Sequence, residues 1–301
     1  MRMVIALADN ALRKRGEQDC HVARAAAARL AAVVDGNDVV LVHEHAHFAD
    51  MPGAGFSRND SPARIDGDPL SRFDLELRHC LASARPCATW LPMVEVDPAD
   101  PAFAHPNQPI GAAIVGEKAV ADARANAWSI AKDRVGYRRV VPNLSPLRVP
   151  HSDALRRLIE ARTVVICPGG IVPVVAREDG AWHGVEAVVD PYCAAELIAE
   201  EIEADLFVIV TELAGVFLDW GTANSKLLRH GHPHALREFA DTAGAMGPKL
   251  RAAAHFAERT GRRAAIGAFA NVDRLLEGTA GTTISCEHAD PRRFAGGSVV
   301  C

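Results

Sequence analysis

With 301 residues, the chain is long enough for one large α/β unit or two small domains. Hydrophobic residues at 49% and charged residues at 24% describe an ordinary globule with a sizeable core. The net charge of −5 argues against nucleic acid or an anionic membrane as the main partner, and no stretch approaches the ~18 uncharged apolar residues of a membrane span.

In chain order, MRMVIALADN opens as a buried strand and lacks the apolar core and cleavage site of a signal peptide. ARAAAARLAAVV lies in a helix from about Cys20 to Val34, made of strong helix formers. VVLVH (39 to 43) is the next strand. It runs into LVHEHAHFAD, where His43, His45 and His47 alternate along the chain. The stretch from Pro52 to Pro109 is rich in Pro, Asp and Arg and suits a lid or subdomain. TVVICPGG (163 to 170) is a β-branched strand ending in glycines, AAELIAEEIEA (194 to 204) a helix, and DLFVIVT (205 to 211) a buried strand. KLRAAAHFAERTG (249 to 261) is a helix stopped by Gly261, and AAIGAF (264 to 269) is expected to be the last strand.

Strands alternating with helices imply an α/β fold with a mainly parallel sheet covered on both faces. Ligands in such sheets sit beyond the carboxyl ends of the strands. Here those ends are Ala8, Asp9 and Asn10, then His43 to His47, Cys167 to Val172, and Thr211 with Glu212. Seven cysteines without a CxxC pair fit reduced thiols in a cytoplasmic protein. Cys167, closing an apolar strand, is expected to be a small buried hydrophobe rather than a nucleophile.

Several of these segments carry long strings: VIALADNAL (4 to 12), VDPADPAF (96 to 103), PIG (109 to 111) and GYRRVVP (136 to 142). Others are VEAVVD (185 to 190), AGVFLDWGT (214 to 222) and AGAMGPK (243 to 249). In this order they resemble the carbamate kinases of the amino-acid kinase superfamily over most of the chain. The resemblance implies a three-layer αβα sandwich with an open, mainly parallel sheet and a small protruding subdomain. It also implies a homodimer, and a reaction in which ATP phosphorylates carbamate reversibly. The expected organisation is a single domain over 1–301, a subdomain within about 52–135, and a C-terminal extension over 285–301, past the usual family end.

The departures from the family pattern fall at its loops. GGN becomes Ala8-Asp9-Asn10, which brings a carboxylate to a place suited to phosphate. HGNGPQ becomes His43-Glu44-His45-Ala46-His47-Phe48, with both glycines lost. A run of four glycines keeps only Gly169 and Gly170. The lysine of KPIG becomes Gln108 and that of VIDKD becomes Pro191, while Lys249 survives. Phosphoryl transfer rests on positioning and on cations, so these losses are expected to cost on the order of 10³-fold or more in rate.

The expectation is therefore a scaffold repurposed for ATP-independent chemistry (hydrolase, lyase or carbamoyl transfer) on a small carbamate-, urea- or carboxylate-like substrate, without ATP or magnesium. The candidate catalytic residues are Asp9, Asn10, His43, Glu44, His45 and Lys249, and the candidate substrate-binding residues are Ala8, His47, Gln108, Gly169, Gly170 and Thr211. His43, His45 and His47 share one face of an extended chain and suit Zn²⁺, Mn²⁺, Fe²⁺ or Ni²⁺. Metal-free acid–base use of these histidines, and no direct role, remain open beside metal binding. A divergent carbamate kinase and a non-catalytic metabolite- or protein-binding member are the alternatives. The His230-Gly-His232-Pro-His234 stretch is expected to be a surface loop.

Overall fold

The computed structural model describes residues 1–8, 11, 19–44, 69–81, 85–169, 174–178 and 181–287. Its eight helices within those residues are α1 (Asp19–Val34), α2 (Pro69–Leu81), α3 (Glu117–Ala125), α4 (Ser152–Glu160), α5 (Pro191–Glu201), α6 (Pro233–Ala240), α7 (Gly247–Thr260) and α8 (Val272–Leu276).

The central sheet has eight strands. From one edge to the other they are His230–Gly231, Thr282–Ile284, Arg263–Ala268, Leu206–Thr211, Arg2–Leu7, Asp38–Glu44, Val164–Gly169 and Cys87–Thr89. Neighbours run parallel except Arg263–Ala268 against Thr282–Ile284. The inner strands are buried on both faces, which is why they read as unbroken Val/Ile/Leu runs rather than alternating ones.

One face packs on α1, α2 and α8 through Met3, Ile5, Leu41, Leu30, Leu77 and Leu275. The other packs on α4, α5, α6 and α7 through Val4, Val42, Leu155, Ile198, Phe207 and Phe256. The Phe207 and Phe256 rings lie 5.6 Å apart, and neither side chain is exposed. Full burial of a side chain of this size contributes about 1.5–3 kcal/mol. Helices on both faces give the αβα layers expected of the sequence.

The strand order places a topological switch at Arg2–Leu7. The chain moves from it to Asp38–Glu44 on one side, and later to Leu206–Thr211 on the other. Between 52 and 135 the described residues fall in several environments, with Cys87–Thr89 in the central sheet and Val94–Val96 in a separate four-stranded one. Helix α2 packs on α1, where Arg24 donates to both Glu76 oxygens at 3.0 and 3.1 Å. By contrast Gln108–Ile114, Ile130–Lys132 and Tyr137–Val141 form a separate three-stranded sheet, with α3 in the connection.

Two sequence expectations are corrected. AAIGAF is not the last strand: Thr282–Ile284 returns antiparallel beside it, too short to show a period. The 230–234 histidines do not form a loop. His230–Gly231 is an edge strand and His232 stands at the N-cap position of α6 without a side-chain capping bond, while Pro233 sits where a missing N–H costs nothing. Among the described residues no helix is long and apolar enough to cross a membrane.

Candidate functional site

The parallel register lines up one row across the sheet: Pro168, His43, Leu7 and Val210 are successive partners at the carboxyl ends. Ala8 follows, buried, its amide donating to the Val210 carbonyl at 2.9 Å. Gly169 pairs with Glu44, and Thr211 with Ala268. Ala8, His43, Glu44, Gly169 and Thr211 thus stand along one sheet edge, at the switch point, as the sequence ordering implied. His43 is only 3% exposed. By alternation it lies on the face of Val39 and Leu41, toward α1 and α2. Asp9, Asn10, His45, His47 and Gly170 lie outside the described residues. Gln108 begins the separate three-stranded sheet, and its side-chain amide donates to the neighbouring Pro109 carbonyl at 3.4 Å.

Beyond Thr211 opens a cavity of about 380 Å³. Apolar walls come from Val216, Phe217, Trp220 and Met246, with the carboxylates of Glu212 and Asp219 and the Lys249 ammonium among the lining groups. A two-stranded hairpin, Phe217–Leu218 with Lys226–Leu227, carries the aromatic wall. Phe217 and Trp220 lie 5.1 Å apart, and Trp220 is 59% exposed at the mouth. Gly215 lets this hairpin close on the sheet: at φ +157 it takes a backbone angle unfavourable to a side chain, and a Cβ there would meet Leu227 and Thr282 at 2.7 and 2.9 Å.

Lys249 is the third residue of α7. Gly247 brings that helix start against the end of α6, because a Cβ there would overlap the Ala240 carbonyl oxygen. The Lys249 ammonium lies 4.5 Å from the centroid of the buried Tyr192 ring and 3.4 Å from the Ala245 carbonyl. Tyr192 is set in turn by the cap of α5. Asp190 accepts from the amides of Tyr192 and Cys193 at 2.9 and 3.2 Å, and Pro191 occupies the first turn. An apolar slot ending in a cation at a helix N-terminus is chemically matched to a flat, polyanionic ligand.

The sequence reading placed Thr211, Glu212 and Lys249 here but missed Phe217, Asp219, Trp220, Met246 and Tyr192. The strings AGVFLDWGT and AGAMGPK held most of that signal. Cys167 is fully buried and its thiol is pushed far up by that burial, as befits a packing residue. Among the described residues one group has metal-ligating chemistry, Glu196, Glu200 and His255. It lies between α5 and α7, where His255 Nδ1 is 3.0 Å from Glu196 and Arg259 donates to Glu200 at 2.5 Å.

The amino acid kinase family model matches residues 106–268. A carbamate kinase of Haemophilus influenzae is 36% identical over 302 residues, covering 95% of this chain and 97% of that one. Another from Rhizobium meliloti is 34% identical, with 96% and 95% covered. Among solved structures, a carbamate kinase from Giardia lamblia bound to AMP-PNP superposes with a TM-score of 0.78 at 25% identity, covering 94% of this chain and 98% of that one. A protein from Aeropyrum pernix K1 gives a TM-score of 0.79 at 29% identity, covering 95% and 99%.

These relatives overturn one expectation, that ATP and magnesium are not used. Full-length likeness to carbamate kinases and to an AMP-PNP complex points to a nucleotide substrate. Despite the lost lysines, the cavity is lined by Lys249 and an aromatic wall. In sequence, cover and fold, the chain belongs to the carbamate kinase family of the amino acid kinases.

Proposed function

We propose that this chain is a divergent carbamate kinase, moving a phosphoryl group reversibly between ATP and carbamate or a closely similar carboxylate. In the forward direction an acceptor oxygen attacks the γ-phosphorus and the bond to ADP breaks. In the reverse direction ADP takes the phosphoryl group from the mixed anhydride. The observation that carries the reading is the cavity beyond Leu206–Thr211, with its aromatic wall and Lys249 at the start of α7. Its support is the name shared by relatives that match nearly the whole chain.

In this reading Phe217, Trp220 and Met246 face the nucleobase and Lys249 meets the phosphates. Magnesium prefers carboxylate, water and phosphate oxygens, so Glu212 and Asp219 are the cavity groups that fit it beside a nucleotide. When bound, the ion neutralises charge on the phosphates. The acceptor side is the adjoining sheet edge: Ala8, His43, Glu44 and Gly169, with Asp9, Asn10, His45, His47 and Gly170 following them in sequence. Gln108 belongs to the subdomain, which we assign to the three-stranded sheet and α3. The reading carries with it a small-molecule substrate, a homodimer and a cytoplasmic setting.

The test is formation of ATP from ADP and carbamoyl phosphate, and of ADP from ATP and carbamate, by the full chain with magnesium. A rate clearly above the protein-free background in the ATP-forming direction is expected. A folded protein that binds ADP but gives no rate either way would overturn the proposal in favour of a binding role.

A further inference from the structure

The three-stranded sheet joins the rest of the fold at two places. The chain enters it after Phe103, which packs against the core, and leaves it at Pro142. Tyr137–Val141 is its middle strand, on which Arg139 stands opposite Ile110 on one side and Ile130 on the other. Successive residues of a strand point to opposite faces, so its two arginines serve different bodies. Arg138 ties the sheet to itself, donating to Asp133 at 2.5 Å and to the Gly111 carbonyl at 2.9 Å. Arg139 is 3% exposed, lies over the Trp128 ring at 4.6 Å and forms an ion pair with Glu186, which belongs to the main body. We infer that Glu186 is a positioning residue, its carboxylate holding the Arg139 guanidinium so that the subdomain keeps one orientation toward the acceptor edge. This rests on the phosphoryl-transfer reading above.

Glu186 is anchored on both sides. The Val185 amide donates to the Val174 carbonyl at 3.0 Å, the Val188 amide donates to the Pro142 carbonyl at 2.9 Å, and Ala187 between them is buried in the core. A body joined at two places can still turn about the line between them, and a third attachment opposes that turning. Arginine suits the task, because its planar fork meets a carboxylate while its face lies on a ring. Since Arg139 is buried, loss of the Glu186 charge weakens the compensation of the cation and favours any movement that returns it to water. Such a movement reaches the substrate side through the ladder. Gln108, a candidate substrate-binding residue, pairs with Val141, two positions along the strand from Arg139 and on the same face by alternation. Ile110 and Val141, which share that face, are buried with Arg139, so the face moves as one packed unit.

The experiment places Glu186→Gln in the full chain, alone and together with Gln108→Ala. Glutamine keeps the size and hydrogen-bonding capacity of the side chain and removes its charge. ATP formation from ADP and carbamoyl phosphate is measured, with amide hydrogen exchange followed by peptide mass spectrometry. Glu186→Gln is expected to raise KM for carbamoyl phosphate about three- to tenfold, with KM for ADP and kcat each within about threefold of the parent. In the Gln108→Ala background the same change is expected to add less than about twofold, because the residue it positions is already gone. Exchange in Gln108–Ile114 and Tyr137–Val141 is expected to quicken a few-fold, and exchange in Leu206–Thr211 to stay as in the parent. An unchanged KM for carbamoyl phosphate, an equal rise in both KM values, or the same rise without Gln108 would overturn the inference. If Glu186→Gln does not fold, Glu186→Asp, which keeps the charge on a shorter arm, carries the same comparison. If the parent forms no ATP, the phosphoryl-transfer reading fails; hydrogen exchange then decides whether Glu186 holds the subdomain, and unchanged exchange overturns that too.

Discussion

The two sides of the switch point differ in what the chain has kept. On the Leu206–Thr211 side the cavity has hydrophobic walls, a hairpin seated by Gly215, and Lys249 fixed by α5 and by the close packing of Gly247. On the Asp38–Glu44 and Val164–Gly169 side the strands align in register, but the sequence that follows carries Ala8, Asp9, Glu44, Ala46, Ile171 and Val172 where the resembling family strings have glycine. A scaffold decaying without function would lose both sides alike. Under the proposed kinase reading, the asymmetry suits a protein that keeps a nucleotide side and has altered what it accepts on the other.

The largest expected effect breaks the kept side. Lys249→Ala removes the cation at the cavity, and ATP formation is expected to fall about 10²–10³-fold, the usual consequence of losing one preorganised charge at a transferring group. Its seat is a helix start of ordinary geometry, so Tm is expected to change little. A variant that keeps more than a tenth of the parent rate would place the chemistry elsewhere. Such a result would also remove the contrast between the two sides.

Asp9→Gly tests the altered side. If Asp9 acts mainly as an unwelcome negative charge near phosphate, its removal is expected to raise the rate of ATP formation about tenfold, with ADP affinity unchanged. A fall in rate would mean that the carboxylate has become part of the working site. Measurement of kcat with carbamoyl phosphate and of Kd for ADP, on the same preparation, separates these outcomes.

Much of the fold was legible because parallel strands and their covering helices are local patterns. Leu206–Thr211 is apolar at nearly every position because both its faces are covered, and Gly261 announces the end of α7 by taking φ 68. Thr282–Ile284 and His230–Gly231 were not legible. Strands of three and two residues have no period, and only their partners make them strands. The site was half legible for a related reason. Strand ends follow from strand positions, so Ala8, His43, Gly169 and Thr211 could be named in advance. The cavity wall could not be, since Phe217, Trp220 and Met246 meet only when a hairpin and a helix start fold together. Tyr192 gave no local signal as a partner for a cation 57 positions later.

The smallest expected effect lies between α5 and α7, where His255 meets Glu196 at 3.0 Å. Burial raises the Glu196 carboxyl above its ordinary 4.5, against the pull of His255. His255 is raised above its ordinary 6.5, first by its hydrogen bond with Glu196, against partial burial. Both groups therefore hold protons in the fold that the unfolded chain gives up at lower pH. Linkage then requires that their contribution to stability be fully present below the unfolded values, and be lost as pH rises through the folded ones. Stability is expected to decline on this account from about pH 4.5 for the acid and from about pH 6.5 for the imidazole. Glu196→Gln removes the raised acid and the main cause of the raised imidazole while keeping a hydrogen-bonding side chain. Because His255 is half exposed and solvent screens it, the variant's Tm is expected to fall less than the parent's between pH 6 and 8 by only about 1–2 °C. Scanning calorimetry across that range reads the difference, and parallel curves for the two proteins would show that the pair is not coupled as its geometry implies.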